Sequence, residues 1–245
     1  MSNGSAALTF MRLLLLFLVA ATTATASPAI FSSGLNRTHL VELYSSEGCS
    51  SCPPAEAWLG NLRDAPGLWS DFVPLAFHVS YWDRLGWTDR FAGKENTARQ
   101  YAYAREWGGE SVYTPEFVLD GVEWRTASQR NPPSRSIEKA ALLSVQYEAG
   151  GVCRVNYAET GDCEVHVALL GGGIVSEVRA GENQGSTLRH DFVVLAMQTA
   201  QLKGGTAELS LPESKVKGVL RHALAVWVTR RGELTPRQAT GGWLD

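Results

Sequence analysis

Apolar residues repeat along this chain with two different periods, and the change between them is the first organising feature. His39-Leu40-Val41-Glu42-Leu43-Tyr44 has the length and content of a short strand. Beyond it, Ala55, Trp58, Leu59 and Leu62 recur at i, i+3, i+4 and i+7, which is one face of a helix. Asp64-Ala65-Pro66-Gly67 ends that helix. Leu75 to Val79 reads as a second strand, with Pro74 marking its start, because an interior proline removes a ladder donor. Lys94 to Trp107 reads as a helix stopped by Gly108-Gly109. Glu116 to Leu119 and Val122 to Arg125 flank Asp120-Gly121, the signature of a two-residue hairpin turn. Ile137, Ala140, Ala141, Ser144 and Val145 form the apolar face of a last helix. A strand, crossover helix and second strand imply parallel pairing with a right-handed connection.

Near Gly150-Gly151 the helical period disappears. Val152 to Tyr157, Cys163 to Leu170, Ile174 to Arg179, Leu188 to Met197, Ala207 to Leu211 and Ala223 to Arg230 all read as strands. In the second, Cys163, Val165, Val167 and Leu169 alternate with Glu164, His166 and Ala168, a period of two. Strands split by glycine-rich turns predict a β sandwich. The expected fold class is therefore α/β in residues 27–149, followed by an all-β, sandwich-like domain in residues 150–245.

The first 26 residues change the picture of where the protein works. Met11-Arg12, the apolar run Leu13 to Ala21 and the Ala24-Thr25-Ala26 end describe a secretory signal peptide cut after Ala26. The run is shorter than the roughly 20 residues of a spanning helix, so no stable membrane span is expected after cleavage; an uncleaved anchor is the alternative. Export predicts a periplasmic or secreted protein, in an oxidising compartment where disulfides persist. Loss of Arg12 takes the formal net charge from -3 to -4, which gives no reason to expect nucleic acid or an anionic membrane as partner. Of the eight tryptophans, six fall between Trp58 and Trp124, so the two halves differ in character.

Candidate chemistry centres on Cys49-Ser50-Ser51-Cys52. Pro53 and Pro54 fit only the first turn of a helix, which places both thiols at its N-terminus. Free N–H groups and the positive dipole end favour a thiolate there. Attack by Cys49, the more exposed, and release by Cys52 would complete a thiol–disulfide cycle. Two other readings remain open: a permanent structural Cys49–Cys52 bridge in a binding protein, and a copper(I) delivery site using both thiols and His78. No methionine or histidine cluster supports copper, and no cofactor or resident metal is expected. Cys153 and Cys163 lie on neighbouring strand candidates, where a structural disulfide is the favoured expectation and zinc held by all four thiols fits poorly. No phosphate loop, nucleophile elbow or dinucleotide fingerprint is present.

Val112-Tyr113-Thr114-Pro115-Glu116-Phe117 resembles the threonine–cis-proline loop of the thioredoxin superfamily. The resemblance covers roughly residues 38–148 and implies a thioredoxin-like domain with a cis Thr114–Pro115 bond facing the cysteines. It assigns substrate binding to Thr114 and Pro115. Val41 to Ala55, His78 to Trp87, Val112 to Pro115, Gly181 to Gly185, Leu188-Arg189-His190 and Val193-Val194 together resemble the exported family called domain of unknown function 1223. That family implies a thioredoxin-like fold with an added β domain and supplies no activity. The chain departs from thioredoxin in three ways: Ser50-Ser51 replaces Gly-Pro, Leu43 replaces a buried aspartate, and Glu42 should face away from the thiols. His78 or Asp83 could replace the missing base, although a lone histidine ending a strand is more often simply hydrogen-bonded. Tyr81, Trp82 and Trp87 could form a docking floor or, more commonly, pack the loop. Gly181 to Val194, with His190, could bind a ligand or be a plain turn. The expected function is an exported thiol–disulfide oxidoreductase acting on exported protein thiols or disulfides with a further redox partner.

Overall fold

The computed structural model describes residues 27–125, 127 and 131–244. The expected signal peptide, residues 1–26, lies outside the described residues. Among the described residues no helix is long and apolar enough to cross a membrane.

The chain opens with β1 (Ala29–Ser32) and β2 (His39–Ser45), then α1 (Pro53–Asn61), β3 (Phe72–His78), α2 (Lys94–Glu106), β4 (Glu116–Leu119) and β5 (Val122–Glu123). It continues through β6 (Leu143–Tyr147), β7 (Val152–Tyr157), β8 (Cys163–Gly172), β9 (Ile174–Glu177) and β10 (Thr187–His190). It ends with β11 (Val193–Gln201), β12 (Thr206–Ser210), β13 (Arg221–Arg230) and β14 (Pro236–Trp243). A 3-10 helix, Ser80–Leu85, links β3 to α2.

Eight of these strands form one sheet in the order β14-β13-β8-β11-β3-β2-β4-β5. This overturns the expected α/β class with a thioredoxin-like domain followed by a separate sandwich. The molecule is mostly β, and strands from both halves hydrogen-bond into a single mixed sheet. The seam is the parallel pairing of β11 with β3, through Val193 and Ala76. β2 and β3 are parallel along their whole length, whereas β8, β13 and β14 are antiparallel neighbours. A four-stranded sheet, β1-β6-β7-β12, forms a second layer. The expected boundary near residue 149 falls in the turn between β6 and β7, two paired strands of that layer.

Alternation explains how two cores share one sheet. On β8, Val165, Val167 and Leu169 face the four-stranded layer, while Ala168 and Leu170 face the core around the helices. On β13, Leu224, Val226 and Val228 point one way and Ala223, Ala225 and Trp227 the other. A strand buried on both faces reads as a continuous apolar run, so its double duty is invisible in the pattern.

Three local expectations also change. The last helix is absent: Leu143, Val145 and Tyr147 are the period-two residues of β6, and Ile137, placed on the helix face, is 94% exposed. Pro74 sits inside β3, not at its start. It is tolerated because the N–H of Ala76 donates to Phe192 at 2.8 Å, and the same edge two residues earlier lies beyond the single paired residue of β11. The run from Leu188 to Met197 breaks into β10 and β11 at Phe192, whose φ is 59°. The Asp120-Gly121 turn forms as expected, with φ of 52° and 86°.

Candidate functional site

Cys49 and Cys52 are joined by a disulfide with Cα atoms 5.5 Å apart. Cys52 is the N-cap of α1, and Pro53 and Pro54 occupy its first two positions. The carbonyl of Cys52 accepts the N–H groups of Ala55 and Glu56 at 2.9 and 3.1 Å, so the bridge is built onto the first helical turn. The Thr114–Pro115 peptide bond is cis. The carbonyl oxygen of Thr114 lies 3.7 Å from Cys49 Sγ, with Ser51 Oγ 3.3 Å from the same sulfur.

The Thr114 loop is held from two sides. Trp82 Nε1 donates to Thr114 Oγ1 at 2.8 Å. Gln100 Nε2, on α2, donates to the Tyr113 carbonyl at 2.7 Å and to Glu116 at 2.6 Å. Burial pushes the Glu116 carboxyl up to about 7. Trp87 Nε1 donates to Glu47 at 2.7 Å. Trp82 and Trp87 therefore brace the cysteine loop, and each has its indole N–H engaged.

Cys49 was expected to be the more exposed sulfur, but both cysteine residues are fully buried. The turn between β9 and β10 packs on the loop that carries them. Glu182 accepts from Ser50, and Asn183 Nδ2 donates to the carbonyls of Glu47 and Cys49, both at 2.9 Å. Gly181 adopts φ of 76° where a Cβ would come within 4.0 Å of Gly48, so the turn lies close on the loop. The stretch singled out as a turn or a binding loop is thus a turn bonded to the cysteine loop.

The bridge expected between Cys153 and Cys163 is not formed; both are free, buried thiols. Cys153 pairs with Tyr147 and Leu209 in the four-stranded layer, whereas Cys163 opens β8 opposite Arg230. The two strands belong to different sheets and not to one hairpin. Burial pushes the Cys153 thiol up to about 11, and burial likewise raises Cys163.

Glu42 faces away from the cysteines, as its strand position requires. Its carboxylate takes Arg99 Nε at 2.7 Å and Nη2 at 3.0 Å, plus the hydroxyls of Tyr103 at 2.6 Å and Tyr44 at 3.0 Å. Asp83 accepts the N–H of Asp89 at 3.2 Å. His78 is turned into a buried cluster that the sequence pattern did not reveal: Glu47, Glu56, His78, Asp89 and His190. Its Nδ1–H donates to Asp89 at 2.6 Å. His190 Nδ1 contacts Glu56 Oε2, and its Nε2 lies 3.2 Å from Glu47 Oε1. Ser45 donates to Glu56 Oε1. Burial opposes the charge on Glu56, but the neighbouring His190 and His78 outweigh it and hold the carboxyl below its ordinary range. These five side chains come from five separate segments, and the one local signal was Glu56 inside an otherwise apolar helix start.

The sequence model of a family described as "Protein of unknown function (DUF1223)" matches residues 40–229. The crystal structure of a protein from Agrobacterium tumefaciens is 29% identical, covering 84% of this chain and 93% of that one, with a TM-score of 0.56. HBP35 of Porphyromonas gingivalis is 11% identical, covering 87% of this chain and 77% of that one, with a TM-score of 0.52, a likeness of fold alone. No curated protein matches the chain by sequence.

Proposed function

We propose that this chain, which belongs to the DUF1223 family of proteins of unknown function, is an exported thiol–disulfide oxidoreductase. The observation that carries the reading is the Cys49–Cys52 bridge at the start of α1 with the Thr114 carbonyl 3.7 Å from Cys49 Sγ. A helix N-terminus favours the thiolate form of a cysteine, and a backbone carbonyl beside the sulfur is suited to accept an N–H from an extended peptide. In the reduced protein, the Cys49 thiolate attacks a substrate disulfide, forming a mixed disulfide and releasing one substrate thiol. The Cys52 thiolate then attacks Cys49 Sγ, closing the internal bridge and releasing the second thiol. Two electrons pass to the substrate, and a dithiol substrate runs the same steps backwards. Thr114 and Pro115 would form the peptide platform, and the partners would be exported protein thiols or disulfides in the periplasm or outside the cell. Glu182 and Asn183 bond to the loop, and lifting of that turn would open the loop to a substrate.

The complete burial of both cysteines favours a second reading, a structural bridge in a non-enzymatic exported binding protein. The reduction potential separates the two. A structural bridge lies below about -300 mV and an active couple above it. Replacement of Cys52 with Ser in the mature protein should trap Cys49 in mixed disulfides that dithiothreitol releases. Wild-type protein inert towards insulin and reduced test proteins, with no trapped adducts and a potential below that limit, would leave the structural reading.

A further inference from the structure

The cluster beneath α1 is built differently from a closed set of ion pairs. Glu47, Glu56 and Asp89 supply three carboxyl groups, and His78 and His190 two imidazoles, all buried. No lysine or arginine pairs with these acids among the described residues. With both imidazoles protonated the cluster would still carry one negative charge in excess, and uncompensated charge away from water is costly. Each ring has its own carboxylate on one side: His78 is hydrogen-bonded to Asp89, while His190 Nε2 and Glu47 Oε1 lie close together without a hydrogen-bond partner. Asp89 takes the Nδ1–H of His78 at 2.6 Å, and Glu47 lies 3.2 Å from Nε2 of His190. The remaining nitrogens, His78 Nε2 and His190 Nδ1, both turn toward Glu56. His78 Nε2 is 3.9 Å from Glu56 Oε1 and has no hydrogen-bond partner.

We propose that Glu56, His78 and His190 form a site for a divalent ion of the zinc class, with Asp89 and Glu47 as the carboxylates that orient the two rings. A carboxylate on the far nitrogen of each ligating imidazole is the usual outer shell of a protein-bound metal, fixing the tautomer and ring direction. One ligand atom from each of the three residues lies within 4.8 Å of the others. Tetrahedral zinc with bonds of about 2.0–2.2 Å holds its ligand atoms roughly 3.4 Å apart, so small side-chain rotations close the site. Two imidazoles and a carboxylate suit borderline divalent ions, and the set contains no thiolate to select copper(I). A cleft of about 320 Å³ between α1 and β10, lined by Pro53, Glu56 and Leu188, reaches the Glu56 side of the cluster. The ion would tie α1, which carries the cysteines, to β3 and β10. This inference does not depend on the redox reading.

The test uses the oxidised mature chain with zinc or cobalt(II) as the probe. Wild-type protein should retain one equivalent after dialysis, show tetrahedral cobalt(II) absorption without thiolate charge-transfer bands, and gain several degrees in Tm with zinc. A Cys49→Ser/Cys52→Ser double variant should bind the same ion unchanged. Asp89→Asn should weaken binding about 10- to 100-fold. His190→Gln should abolish it; if that variant fails to fold, the wild-type and Asp89→Asn measurements decide. No retained metal and no Tm shift in the wild type, or binding that disappears with the cysteines, overturns the proposal.

Discussion

Glu182 accepts two hydrogen bonds from Ser50, from its N–H at 3.0 Å and its hydroxyl at 2.7 Å, across 132 residues of chain. The β half thus holds the loop between the two cysteines. Hydrogen bonds to a charged acceptor draw the Glu182 carboxyl below its ordinary range. If this contact keeps the turn shut, Glu182→Ala should raise the rate at which dithiothreitol reduces the Cys49–Cys52 bridge by a few-fold, with Tm nearly unchanged. Adding Asn183→Ala, which frees the carbonyls of Glu47 and Cys49, should raise it further. Equal reduction rates in all three proteins would show that the turn does not limit access.

The Glu42–Arg99 pair offers a test of the core beneath the sheet. Glu42 is fully buried and engages Arg99 through both oxygens, with two tyrosine hydroxyls completing the set. Arg99→Met should therefore lose about 3–5 kcal/mol, because it leaves a buried carboxylate without its cation. The double change Glu42→Leu with Arg99→Met should recover a large part of that loss. Urea midpoints measure both. A single-variant loss below about 1 kcal/mol would mean that water reaches Glu42 and the pair is not closed.

What the sequence revealed depended on how local each signal was. Ala55 and Leu59 on one face, and the prolines at 53 and 54, marked α1 to within a residue or two. The Asp120-Gly121 turn was equally plain. The joining of the halves was not, because β11 meets β3 at one residue pair, Val193 with Ala76, far apart in the chain. No pattern within a single strand encodes that neighbour. Residues 137–145 misled because Ala140, Ala141 and Ser144 suit a helical period, whereas only Leu143 to Tyr147 is regular, a strand decided by pairing with β1 and β7. The cysteine pair was legible from its spacing, but its cover was not, since Glu182 and Asn183 reach it from the opposite half. The acidic and histidine cluster was hidden for the same reason: His78 looked like an ordinary residue ending a strand, and His190 like part of a turn or binding loop and the strand after it.

Cys153 and Cys163 should behave as inert thiols. Each is buried, and burial raises both pKa values, so almost no thiolate exists near neutral pH. Native protein treated with iodoacetamide should leave both unmodified. Denatured, unreduced protein should alkylate these two while the Cys49–Cys52 peptide stays bridged. Peptide mass mapping reads the outcome. Recovery of a peptide pair linked through Cys153 and Cys163 would contradict the strand arrangement.

His166 should make the fold weaken in mild acid. Its Nδ1 and Nε2 meet the hydroxyls of Thr199 at 2.8 Å and Thr229 at 3.0 Å, and its ring stacks on Trp227 at 5.0 Å. Burial, with a smaller effect from the Arg99 charge, lowers its pKa to about 3. The unfolded chain titrates this side chain near 6.5. Between those values the unfolded form holds a proton that the folded form does not, so stability rises with pH across the window. The contribution is complete above about pH 6.5 and is lost progressively as pH falls toward 3. Folding free energies from urea titrations at pH 7, 6, 5 and 4 should therefore fall more steeply for the wild type than for His166→Gln. The difference isolates this residue from His78 and His190, which remain in both proteins. Parallel pH profiles would show that His166 takes up its proton within the fold, and that the pocket between Thr199 and Thr229 admits the charged ring.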